Sequence, residues 1–248
     1  MKKLNIFDLL SQVDRNSQMI RKYFYLLLIP FAFALMSGCG VLFHKDIDEG
    51  VIEFEISYPA TEAGDLMAGL LPREMTLKFK DGKTIGELSA GMGVFKTALI
   101  ADPETRTVHQ LLKIMSKKYV LELDSNEIHQ LYGELPEMKV HFTDETKEIA
   151  GYKCHKAVVT FKNNIKEEFS IFYTNDIDIE DSNWCTPFNE ISGVLLEYHV
   201  RKYNYEMKLT AIKVTKIDID DADFIVPSDY IQISQDEMDK IFEGFQDI

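Results

Sequence analysis

Beyond residue 50 the chain alternates apolar and polar positions with a period of two. In the stretch from Val51 to Tyr58, Ile52, Phe54, Ile56 and Tyr58 face one way, and Glu53, Glu55 and Ser57 the other. That pattern predicts a half-buried strand. Met75, Leu77 and Phe79 repeat it, and Asp81-Gly82 is a hairpin turn signal. The partner strand begins near Thr84, and Gly86, Gly91 and Gly93 predict bends in it. Strands are predicted over 95–101, 107–114, 118–123, 138–142, 152–161, 168–173, 193–200 and 203–217. A turn is expected over 144–151, and the longest irregular piece over 175–190. In the last strand the apolar phase slips after Leu209 to Ile212 and Val214, which predicts a bulge near Ala211.

Helical spacing is rare. Asp124 with Glu127, and Ser234 with Glu237, have the spacing of capping boxes. Ile128, Leu131, Tyr132 and Leu135 follow the first, and Met138's strand begins after Pro136 stops it; Met238, Ile241, Phe242 and Phe245 follow the second. Residues 61–71 read as a weak helix or loop. Many strands, few helices and no βαβ rhythm predict a mainly β (α+β) fold with one antiparallel sheet. A sheet this long curls, and the two or three short amphipathic helices are expected on its concave face.

The first part of the chain has another character. Arg21 and Lys22 precede an apolar run from Tyr23 to Met36, followed by Ser37, Gly38 and Cys39. A basic start, a short apolar run and small residues before the cut form a secretory signal. The run is too short, and too interrupted by Pro30, to favour a spanning helix. Asp8 and Asp14 do not suit a signal, so Met19 is predicted as the true start, or residues 1–18 as adding nothing to the mature fold. Leu35-Met36-Ser37-Gly38-Cys39 resembles the lipobox of bacterial lipoproteins. That resemblance implies cleavage between Gly38 and Cys39, and acylation of Cys39. Residues 1–38 are then signal, 39–50 a lipidated tether and 51–248 one domain.

Charge narrows the partners. The chain carries a net charge of −14. Acidity argues against nucleic acid and against direct adsorption to anionic lipid, so Cys39 is expected to supply the membrane anchor. Past Cys39 the remaining thiols are Cys154 and Cys185. Two cysteines in an exported domain suggest a bridge, although sequence leaves open whether they meet.

Glu148-Ile149-Ala150-Gly151-Tyr152-Lys153-Cys154-His155-Lys156-Ala157, the strand 169–174, the segment Pro187–Glu197 and Asp223-Phe224-Ile225-Val226-Pro227 with Tyr230 form a series. The series resembles uncharacterised exported lipoproteins of Bacteroidota-type diderm bacteria, the GLPGLI group. The resemblance implies a fold like LolA and LolB: an open half-barrel of curved sheet wrapped around helices, whose best-known members carry acyl chains in the hollow.

Catalytic patterns are weak. Cys154 and His155 are strand neighbours and point to opposite faces. The histidines lack zinc spacing, and the acidic runs 176–181 and 218–223 lack a calcium loop's Gly and final Glu. No enzyme, metal or cofactor is predicted. Leu66, Met67, Leu70, Leu71, Met92 and Phe95 are the soft apolar candidates for lining or lidding a hollow, with plain core packing as the competing account. The expected function is an outer-membrane lipoprotein, on the periplasmic or the surface side, that holds an acyl chain or other apolar ligand. The alternative is a non-enzymatic interaction or structural lipoprotein with a filled core, meeting an envelope protein.

Overall fold

The alternation becomes strands. A computed structural model of the protein describes residues 47–59, 71–133, 137–162, 168–202 and 205–246. The chain builds β1 (Glu49–Ser57), β2 (Glu74–Lys80), β3 (Lys83–Ala90), β4 (Phe95–Asp102), β5 (Thr107–Ile114) and β6 (Lys117–Leu123), then α1 (Ser125–Gly133). It continues with β7 (Met138–Ile149), β8 (Tyr152–Phe161), β9 (Glu168–Thr174), β10 (Val194–Lys202), β11 (Tyr205–Thr215), β12 (Ile231–Gln232) and α2 (Gln235–Gln246). All twelve strands join one sheet in the order β12-β6-β5-β4-β3-β2-β1-β11-β10-β9-β8-β7. The pairs are antiparallel except β12, a two-residue strand that runs parallel to β6. The sheet is therefore two meanders joined where β1 pairs with β11.

One sequence expectation changes and another holds. The turn expected over 144–151 is mostly strand: β7 runs on to Ile149, and only Ala150 and Gly151, at φ 50° and 84°, make the turn. The register shifts between Phe142, opposite Ala157, and Thr146, opposite His155, which places two extra residues in β7. The bulge expected near Ala211 falls at Ile212, because Phe54 pairs with Ala211 while Glu53 pairs with Lys213. Residues 1–46, with Gly38, Cys39 and most of the tether, and the helix or loop reading of 61–70 lie outside the described residues.

Register assigns the faces. Ile52, Phe54, Phe79, Ala101, Val108, Leu112, Leu121 and Leu209 share the inner face and are buried. The irregular segment 175–193, called the plug below, packs against this face in three separate clusters. Ile177 and Ile179 join the cluster over β1 and β11, Trp184 and Cys185 the one over β4–β6, and Phe188 and Ile191 the one over β8–β10. Asn183, 5% exposed, holds the plug's return by donating to the carbonyls of Ile191 (2.7 Å) and Gly193 (2.8 Å). Gly193 has no room for a Cβ, which would lie 2.7 Å from the Thr174 carbonyl oxygen and 2.6 Å from Asn175 Oδ1.

Both helices start as the sequence predicts. Asp124 Oδ1 accepts from Asn126 and Glu127 N–H while Glu127 Oε2 accepts from Asp124 N–H. Ser234 and Glu237 repeat the exchange. Ile128 of α1 and Met238, Ile241 and Phe242 of α2 pack on the inner face of β4–β6. On the outer face of β3–β6, the strap 217–230 lays Phe224, Val226 and Tyr230 over Ile85, Ile100, Leu111 and Val120.

Candidate functional site

The inner face is closed at its two wings and less closed between them, and the register shows where. One row of cross-strand partners runs Gly50, Phe79, Thr84, Ala101, Val108, Leu123. Its apolar members are buried beneath the plug and α1. The next row on the same face runs Ile52, Leu77, Gly86, Leu99, Gln110, Leu121. Its ends, Ile52 and Leu121, are 0% and 4% exposed, yet Leu99 in the middle is 42% exposed. A third row runs Phe54, Met75, Leu88, Thr97, Leu112, Tyr119 and is half-buried at Met75, Leu88 and Thr97. Leu99, with Leu77, Met75 and Leu88 around it, forms an open apolar strip.

Gly86 makes the strip's floor. A Cβ there would touch Leu77 Cδ1 at 3.7 Å and Met75 Sδ at 4.0 Å, which is ordinary contact. The residue therefore contributes depth, since any larger side chain would grow into the strip. Thr97 and Gln110 are the polar groups on this floor, and Thr97 Oγ1 donates to the Leu111 carbonyl at 2.9 Å. An apolar strip with a few polar groups suits an aliphatic ligand.

The sequence candidates divide. Leu66, Met67 and Leu70 lie outside the described residues, as does the Met92 side chain. Met92's backbone forms the 3-10 turn Gly91–Gly93, at the strip's far end from the plug. Leu71 is half-buried in a bend. Phe95 is half-buried and sits edge-on to Phe242 of α2, ring centroids 6.0 Å apart, so it belongs to the packed core more than to the open strip. Sequence reasoning missed Leu77, Gly86, Leu88 and Leu99. Their alternation was visible, but which alternating residues stay uncovered depends on pairing across strands.

The suggested bridge does not form. Cys154 packs in the cluster over β1 and β11 and Cys185 in the one over β4–β6, so packing keeps the two sulfurs in different parts of the core. Burial pushes both thiols up to about 11, away from thiolate chemistry. His155 lies on the opposite face of β8 and stacks near Tyr173 at 5.9 Å.

The buried carboxylate among the described residues is Glu197 on β10. Lys147 reaches it from β7 at 2.8 Å, crossing over the Phe172 ring at 5.0 Å, and Lys208 reaches it from β11 at 3.1 Å. Burial pushes the Glu197 carboxyl up, but the hydrogen bonds from Lys147 and Lys208 outweigh this and hold it below the ordinary value. An ionised carboxylate gripped by two ammonium groups is a poor proton donor at neutral pH. Its evident work is to draw β7 back towards β11, which lie close despite three intervening strands. Among the described residues no group of three metal-ligating side chains comes together, and no helix is long and apolar enough to cross a membrane.

A family model described as the N-glycanase peptide, N-terminal domain, matches residues 91–237. The matched stretch is more than half of the 248-residue chain and runs from the turn before β4 into the first turn of α2. A search of curated proteins found no match.

Proposed function

We infer the function from one premise: the chain belongs to the N-glycanase peptide N-terminal domain family. We propose that it is a binding module and that its ligand is an acyl chain or a similar aliphatic group laid along the strip around Leu99. The observation that carries this reading is the register row from Ile52 to Leu121, buried at both ends and open in the middle. Half-exposed Met and Leu side chains adapt to ligands of varied shape. In this reading the sheet is a LolA-like half-barrel, and the plug and helices fill its wings. A triacylated Cys39 tethers it to the outer membrane, because two or more acyl chains anchor stably where one does not. The family's name points to an N-glycanase, but we do not propose glycan hydrolysis. Glu197, the buried carboxylate among the described residues, is committed to Lys147 and Lys208 and offers no free acid or base at neutral pH.

The filled-core interaction module is the second reading, and the plug favours it, since this segment already occupies three clusters of the inner face. Native mass spectrometry of the protein purified from membranes separates the two. Aliphatic lipid co-purifying with the wild type and lost from Gly86→Phe supports the strip. A clean protein mass for both leaves the interaction module. Radiolabelled palmitate entering the wild type and sparing Cys39→Ala tests the tether separately.

A further inference from the structure

We propose that the end of the sheet carrying the β3–β4 and β5–β6 turns is a docking surface for an anionic lipid bilayer. The surface stands whether or not the strip binds a ligand. Its core is a row of like charges. Lys96 on β4 lies directly opposite Lys113 on β5, and Lys113 lies directly opposite Lys118 on β6. Like charges facing across strands destabilise a sheet, so three in a row need a reason, above all in a chain of net charge −14. One acid answers them. Asp229 pairs with Lys118, and its carboxyl is held below the ordinary range first by that bond and more weakly by Lys113. Among the described residues, Lys96 and Lys113 form no ion pair. The row lies on the outer face where the strap ends at Asp229 and Tyr230, over whose ring Lys118 sits at 5.5 Å.

Two apolar tips stand beside the lysines. Val94 is 52% exposed and Met115 73% exposed. The Met115 N–H donates to the Val94 carbonyl at 2.9 Å, which ties the two turns into one edge. A free anion or an acidic peptide would use the lysines and leave the tips in water. The bilayer interface uses both: phosphates meet the lysines, and the headgroup boundary takes the apolar tips. The acidic majority does not cancel this field. Glu55 and Glu74 face each other at this end, but on β1 and β2, across β3 from Lys96; the acids where β2 turns into β3 and β4 into β5 lie the length of the strands away, which at about 3.3 Å per residue is roughly 25 Å for β4. That is well beyond the screening length of about 8 Å in physiological salt.

The test uses the full chain carrying Cys39→Ser, so that no acyl anchor contributes, with vesicles of phosphatidylcholine alone or mixed with phosphatidylglycerol. Hydrogen exchange is expected to slow over residues 91–97 and 112–118 on the anionic vesicles and not on the zwitterionic ones. Lys96→Gln with Lys113→Gln is expected to lower partitioning onto anionic vesicles about fivefold per lysine, or roughly 25-fold together. Val94→Ser with Met115→Ser is expected to lower it while the preference for anionic lipid persists. Equal protection on both vesicle types, or undiminished partitioning of the double lysine variant, would overturn the proposal.

Discussion

At the end of the sheet where β2 turns into β3 and β4 into β5, each cation holds an acid. Lys80 meets Asp221 at 2.7 Å, Lys83 meets Asp102 at 3.1 Å, Arg106 meets Asp181 at 2.7 Å and Lys216 meets Asp48 at 3.0 Å. The plug lies against that end: Glu180 packs at Gly82 and Arg106 covers the Trp184 ring. At the opposite end of the same strands, lysines face lysines and the turns hold out Val94 and Met115. One end is charge-paired and covered by the plug; the other, bare at Val94 and Met115, sets three lysines in a row with one acid paired to them. The contrast teaches that a net charge describes a chain and not a surface. Acidity argues against adsorption to anionic lipid when averaged over the sequence, while the fold sets three lysines side by side in one register row.

Substitutions can sharpen the contrast. The largest effect is expected from Phe79→Ala, which empties the covered end at a fully buried residue. It should cost about 3–5 kcal/mol by urea denaturation, whereas Met115→Ala at the bare end should stay within about 0.5 kcal/mol. Comparable costs at both ends would erase the distinction. Gly193→Ala comes next, at about 1–3 kcal/mol, because its Cβ would meet backbone at the plug's return. Lys96→Glu should go the other way: it replaces a repulsive pair with an attractive one, raising stability by about 0.2–1 kcal/mol while weakening vesicle binding. A melting temperature that falls would mean that the row is not repulsive. The last expectation concerns acid. Glu197 is held below its ordinary value, so its contribution is complete above the unfolded-chain value of about 4.3 and is lost as pH drops through the lower folded value. Glu197→Gln should flatten that part of the stability–pH curve; an unchanged slope below pH of about 4.3 would show that other carboxylates carry it.

Local signals were legible and long-range ones were not. The strands of both meanders, the Asp81-Gly82 turn and both capping boxes follow from spacing within a few residues. The continuation of β7 through Asp144, Glu145 and Lys147 was hidden because these residues are polar in sequence, and what holds that stretch is a lysine crossing to another strand. The plug looked like irregular loop, since Ile177, Trp184, Phe188 and Ile191 have no period; they answer to three different clusters. The strip and the lysine row are properties of register. Leu99 and Ala101 share one face of β4 and part in what lies above them, and Lys96, Lys113 and Lys118 come from three strands.

The seam between β1 and β11 bears on how the molecule is made. β1 pairs with residues 151 to 164 positions later, as Ser57 does with Lys208 and Val51 with Thr215. The β2–β6 meander can zip up from local hairpins, but it cannot join the β7–β10 meander until β11 has been synthesised. Pairings this distant form slowly. A polypeptide whose central suture closes last spends its early life as separate hairpins, with the edges of both meanders open to the wrong partner until β11 arrives.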